Sequence, residues 1–184
     1  MALPSTVFKA QLQVADMDRH YYADHALTIA RHPSETDERM MVRVLAFALH
    51  ADENLALGRG LSAEGEPDLM LADLTGAIQL WIDVGLPDEK SLRKACGRAD
   101  QVVLYAYGRA ADTWWESNRK HLLRLDNLTV VRLAPDATRT LAAMAQRTMQ
   151  LQCNIQDAEV WFGDGQTNVD VVRDILLTPP VHHR

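Results

Sequence analysis

The chain lacks the marks of several large functional classes. It has only two cysteines in 184 residues, Cys96 and Cys153. They are too far apart for a metal-type spacing, so the chain reads as cytoplasmic with reduced thiols in its core. Seven histidines are scattered along it, His20 and His25 being nearest, with no spacing that suggests zinc. There is no Gly-x-Ser-x-Gly elbow, no phosphate-cradling glycine loop and no dinucleotide fingerprint. No uncharged apolar run reaches membrane length, and Met1-Ala2-Leu3-Pro4-Ser5-Thr6 has no basic stretch followed by an apolar one. Neither a transmembrane helix nor a secretory leader is expected. The formal net charge of -6 argues against a general nucleic-acid coat, because that kind of affinity comes from neutralising phosphates. It leaves room for a local basic groove. Internal repeats, coiled-coil heptads and low-complexity tracts are also missing.

What is there is the composition of a globular domain, 47% hydrophobic and 24% charged, in a length that favours one core. Residues 6–14 alternate apolar and polar, Asp16-Met17-Asp18 offers a turn, and residues 21–30 look like the returning strand, giving an N-terminal hairpin over 6–30. Ser34 and Asp37 suggest a capping box for a helix over 36–54. That helix is apolar nearly all round from Met40 to Leu49, with Arg43 the exception, so it should be buried. After Gly58 a short strand at Gly60-Leu61-Ser62 and an acidic loop lead to Pro67-Asp68. Beyond the strand that begins at Ile78, helix and strand alternate: helix 87–99, strand 102–107, helix 110–121, strand 128–133, helix 135–147. Crossovers of this kind imply a largely parallel sheet segment. A second hairpin, 149–155 with 160–162, is expected to turn at Gln156-Asp157-Ala158, and residues 178–184 are expected to form a flexible end. The expected fold is a compact single α/β domain over 1–184, a mixed β-sheet with flanking helices. Its core runs over about 34–147, with extra hairpins and a tail over 148–184.

The most telling residue is the carboxylate inside Ile78-Gln79-Leu80-Trp81-Ile82-Asp83-Val84-Gly85. A charge in such a run costs several kcal/mol if buried unpaired. By alternation Gln79, Trp81, Asp83 and Gly85 share one face, so Asp83 has a bulky ring on one side and open space on the other. That suits a hard cation, which takes carboxylate and carbonyl oxygens together with waters; a structural ion pair with arginine or lysine is the other explanation. Asp68 follows a proline in a dipeptide that is most often a turn. Glu38 lies in the first turns of its helix, where an acid suits the macrodipole. It is also in line with Met41, Val42, Leu45 and Leu49, and so aims at the buried stripe. Together the three give the order Glu, Pro-Asp, Asp-x-residue of divalent-metal phosphodiesterases of the PD-(D/E)xK type. Gly85 stands where that motif has lysine. Lys90 and Lys94, one turn apart on the next helix, and Arg59 are the candidates for the missing cation; a lysine is preferred because its pKa can be lowered in a site. Gln101-Val102-Val103-Leu104-Tyr105 matches a signature of some such enzymes but falls on a strand, and Trp114-Trp115 reads as a core residue beside a partly exposed one.

Longer blocks carry a family resemblance. Ala30-Arg31-His32-Pro33-Ser34-Glu35-Thr36-Asp37-Glu38-Arg39-Met40-Met41, then Arg59-Gly60-Leu61, Glu66-Pro67, Leu80 through Glu89, Thr148-Met149 and Ile155-Gln156-Asp157 resemble the bacterial YaeQ family across nearly the whole chain. The resemblance implies a compact α/β fold built on a variant of the PD-(D/E)xK nuclease core, and implies no particular activity. Two functional expectations stand side by side. In the first, Asp68 and Asp83 bind Mg²⁺ or Mn²⁺, Glu38 acts directly or through water, and Lys90 or Lys94 orients the attacking water in a nuclease or phosphodiesterase site. Its partner would be nucleic acid in a local groove, with no membrane association, and the chain is expected to be a monomer. In the second, the chain is a non-catalytic binding or regulatory protein on a degenerate nuclease fold, favoured by Gly85 and the acidic net charge.

Overall fold

The alternation near the start builds a long strand, β1 (Thr6–Asp16), which buries Phe8, Ala10, Leu12 and Val14 on one face. It pairs antiparallel with β2 (Tyr21–Arg31) in unbroken register from Thr6↔Arg31 to Asp16↔Tyr21. This hairpin is no appendage. β8 (Thr148–Gln156) runs parallel to β1 and carries β9 (Glu159–Gly163) and β10 (Asn168–Asp170), giving a five-stranded sheet ordered β10-β9-β8-β1-β2. Asp157 and Ala158 turn the β8–β9 hairpin with positive φ, and both donate their N–H to the Asp18 carboxylate at 2.8 Å. The β1–β2 turn is thereby tied to the β8–β9 turn. The structure, a computed structural model, describes residues 4–59 and 65–181.

The second sheet has the order β11-β7-β6-β5-β4-β3, from β3 (Leu55–Leu57), β4 (Leu69–Ala72), β5 (Ile78–Val84), β6 (Ala99–Ala106), β7 (Leu128–Leu133) and β11 (Arg173–Leu177). Its centre, β5-β6-β7, is parallel, with α2 (Glu89–Arg98) and α3 (Ala111–Leu122) as crossovers; β3, β4 and β11 are antiparallel. One face packs on α2 and α3 through Trp81, Leu92, Ala95, Leu104, Leu122 and Val130. On the other face α1 (Asp37–Leu49) and α4 (Pro135–Ala143) share a core with both sheets. Every residue from Met40 to Leu49 is buried. A helix covered on all sides has no solvent face to make polar, which is why this segment is apolar nearly all round.

Three details differ from the sequence reading. Thr36, not Ser34, caps α1 by accepting the Arg39 N–H, while the Ser34 hydroxyl pairs with His32 Nδ1 at 2.6 Å. α1 stops at Leu49 and α4 at Ala143, short of the expected 54 and 147. Trp114 and Trp115 are both half-buried against the α2–α3 core. The strand expected at Gly60-Leu61-Ser62 lies outside the described residues. Among the described residues no helix is long and apolar enough to cross a membrane.

Candidate functional site

Asp68 immediately precedes β4, where antiparallel pairing of Leu69 with Ile82 sets it across from Asp83 on β5. Gly58 makes this approach possible. Its N–H donates to the Asp68 carbonyl at 2.7 Å, and a Cβ there would stand 2.5 Å from the Pro67 carbonyl oxygen. Side chain and backbone then cross over. The Asp68 N–H points at Asp83 Oδ1 at a long 3.4 Å, and the Val84 N–H donates to Asp68 Oδ2 at 2.9 Å.

The partner of Asp68 comes from α1. Arg39 Nη2 is 2.9 Å from both Asp68 oxygens and 3.5 Å from the Val84 carbonyl. Its Nη1 donates to Glu35 Oε2 at 2.7 Å. Glu35 also accepts from Arg43 Nε at 3.0 Å and Nη2 at 2.6 Å, and Arg43 reaches on to the Ala30 carbonyl at 2.9 Å. Arg43 is 0% exposed. The exception in the apolar helix is thus a buried strut: residues 35, 39 and 43, four apart, join the end of β2, α1 and Asp68.

The acid pair is electrostatically uneven. Burial raises the Asp68 carboxyl above its usual range, against the pull of Arg39 and the Val84 N–H. Asp83 is pushed up to about 6, first by burial and then by the charge of Asp68. Among the described residues Asp83 has no salt-bridge partner. The Trp81 indole N–H, on the same strand face, lies near enough to Asp83 to offset part of that rise but is buried and completes no hydrogen bond among the described residues. An indole N–H without an acceptor is uncommon in an interior.

Above the pair opens a cavity of about 800 Å³, lined by Arg39, Asp68, Trp81, Asp83, Lys90, Lys94 and Arg98 among others. α2 forms one wall. Asp88 caps it by accepting the Ser91 N–H at 2.7 Å, and Lys90, Lys94 and Arg98 follow at four-residue spacing. Arg98 lies over the Trp81 ring at 5.0 Å and donates to the Gly65 carbonyl at 2.8 Å. Of the residues singled out in the sequence, Asp68, Asp83, Lys90 and Lys94 therefore line one cavity. Glu38 does not: it is half-exposed and outside the lining. Neighbours on a helix point about 100° apart, as its 3.6-residue turn requires, and the residue turned toward Asp68 is Arg39. Arg59 is likewise outside the lining.

Gly85 has φ +106, a conformation that side chains rarely adopt, and its N–H is tied to the Tyr105 carbonyl at 2.9 Å. The place of the motif lysine is closed by the backbone, although space around it is open. In the Gln101–Tyr105 match, Gln101 is exposed while Tyr105 is buried against His50 Nε2 at 2.6 Å.

For a hard divalent ion the donor chemistry is suitable, since two carboxylates and a carbonyl oxygen are what Mg²⁺ and Mn²⁺ take alongside waters. Among the described residues, however, no three acidic, histidine or cysteine side chains are grouped to hold a metal. One of the two carboxylates is also engaged by Arg39. Sequence reading passed over Glu35, Arg39 and Arg98. The signal available for the first two was the four-residue spacing that ends in the anomalous Arg43.

The chain matches the family model described as "YaeQ protein" over residues 1–173. It is 47% identical over 172 residues to the uncharacterized protein YaeQ of Salmonella typhi, covering 93% of this chain and 95% of that one. The Escherichia coli (strain K12) protein of the same name is 46% identical over the same coverage. Among solved structures, the YaeQ protein of Xanthomonas axonopodis pv. citri superposes with a TM-score of 0.91 at 49% identity, over 95% of this chain and 99% of that one. The YaeQ protein of Pseudomonas syringae gives 0.92 at 36% identity, over 96% and 98%.

Proposed function

The chain belongs to the YaeQ family, and for the cavity above its acid pair we propose a divalent-cation-dependent phosphodiesterase site of the PD-(D/E)xK type with its lysine relocated. One observation carries this reading: Asp68, just before β4, and Asp83, on the antiparallel strand β5, share a cavity with Lys90 and Lys94 of the following helix. In this reading Asp68, Asp83 and the Val84 carbonyl would hold Mg²⁺ or Mn²⁺. Lys90 and Lys94 face the same space, where they hold a phosphate and orient the attacking water. A cation held there would supply the positive charge that makes water more acidic and offsets charge on the phosphate. Glu38 is assigned no contact with it. The substrate class is nucleic acid, for which the Lys90–Lys94–Arg98 stripe supplies local positive charge on an otherwise acidic chain.

The test is cleavage of single- and double-stranded DNA and RNA in Mg²⁺ or Mn²⁺, with Asp83→Asn as the control that keeps shape and removes a ligand. Loss of cleavage in that variant with its fold intact supports the reading. A specific observation favours the second reading, a binding protein without catalysis: the Arg39 guanidinium already neutralises Asp68. No cleavage of any substrate across both metals, with an anionic ligand retained in the cavity, would decide for it.

A further inference from the structure

Arg39 Nη2 lies at the meeting point of three oxygens, 2.9 Å from each oxygen of Asp68 and 3.5 Å from the Val84 carbonyl. Asp83 is adjacent, its Oδ1 3.4 Å from the Asp68 nitrogen. These are the oxygens that the acid pair would offer a cation. We propose that Arg39 is an internal counter-ion that a divalent cation has to displace, so that the Glu35–Arg39 pair sets how tightly the acid pair takes metal. The inference rests on reading the cavity as a cation site.

Nη2 sits equally close to both Asp68 oxygens, the chelating position a cation would take there, and two positive groups cannot occupy that one position, where repulsion grows as the local dielectric falls. Binding therefore requires the guanidinium to leave, and the apparent affinity drops by the fraction of molecules in which it has left. The departure is structurally feasible. Arg39 lines the cavity and its side chain is 15% exposed, against 0% for Arg43. Its bond from Nη1 to Glu35 is independent of Asp68, so the group can pivot about that anchor into the cavity. Glu35 remains paired with Arg43 throughout. In the absence of metal Arg39 keeps two adjacent carboxylates from facing each other uncompensated, which lets the fold stand without the ion.

The experiment measures Mn²⁺ binding by calorimetry to the full-length wild-type protein, Arg39→Gln and Arg39→Lys, with circular dichroism to establish that each is folded. Displacement predicts that Arg39→Gln binds at least ten-fold more tightly than wild type. Arg39→Lys, whose compact charge lacks the fork that spans Glu35 and Asp68, should fall between them. A second arm needs no variant to fold. During a Mg²⁺ titration of the wild-type protein, the Arg39 side-chain Nε resonance should shift while that of Arg43 stays in place. Wild-type binding that is indifferent to residue 39, with the Arg39 resonance unmoved, overturns the inference and leaves the cation site standing. Absence of binding in all three folded proteins removes the cation site itself.

Discussion

Asp68 and Asp83 are coupled through backbone as well as charge: the Asp68 N–H points at Asp83 Oδ1 at 3.4 Å, and the charge of Asp68 raises the Asp83 pKa. Asp83 in the unfolded chain titrates near 4, and in the fold at about 6. Between those values the native state holds more protons than the unfolded one, so stability falls as pH rises from about 4 to 6. The size is roughly 3 kcal/mol, at 1.36 kcal/mol for each pKa unit. Asp83→Asn removes this loss. Its melting temperature should exceed that of wild type by several degrees at pH 8 and match it near pH 4; equal values at both pH values would contradict the coupling.

His50 works in the opposite direction. Burial lowers it to about 4 from the ordinary 6.5, so its contribution to stability is present above 6.5 and lost as pH falls through 4. In the wild-type protein the two slopes oppose each other over most of the same range. Asp83→Asn removes one opposing slope and leaves that of Asp68, so adding His50→Gln to that variant should make the change in stability from pH 4 to 6.5 more negative in denaturant melts. A slope unmoved by His50→Gln would mean that His50 is not held neutral against the Tyr105 hydroxyl.

Arg43→Met tests the buried strut. Removing one partner of a buried ion pair costs about 3–5 kcal/mol, because the remaining charge is stranded. Glu35 would keep only Arg39. Urea unfolding should show a loss of that order, and a loss under 1 kcal/mol would show that Arg39 alone satisfies Glu35.

Gly85→Lys restores the motif on paper only. At φ +106 a side chain carries backbone strain on the order of 1–3 kcal/mol. Gly85→Ala and Gly85→Lys should therefore be destabilised alike in thermal melts, and the lysine variant should gain no Mn²⁺ affinity or turnover. A lysine variant more stable than the alanine one and more active than wild type would show that the position accepts the motif residue.

Most elements were legible because their patterns were local. β7 needs nothing beyond its apolar run, and α2 is marked by its Asp88 cap. The strands that escaped, β3, β4, β10 and β11, are three to five residues long and are identified by what they pair with. The parallel partnership of β1 with β8 joins residues about 140 apart, and no periodicity announces it. In the site, Asp83 stood out because a charge in an apolar strand is anomalous. Arg43 was equally anomalous, but its partner Glu35 looks like an ordinary loop residue before the helix, and Arg39, which shares that glutamate, like an ordinary surface residue of the first turn. Glu38 satisfied a linear motif, whereas the helix phase turned its neighbour Arg39 inward. Gly85 could be read as a missing lysine from the sequence, and as a conformational requirement only from its φ.

The most direct measurement is Mn²⁺-dependent cleavage of DNA and RNA by wild type and Asp83→Asn side by side, with Mn²⁺ binding followed on the same samples. A metal-dependent site built on Asp68 and Asp83 predicts that wild type cuts at least one nucleic acid and that the variant, folded and no less stable, loses both cleavage and most of its metal affinity. Undiminished cleavage by the variant, or a wild-type protein that neither binds Mn²⁺ nor cuts any of the substrates, would contradict it.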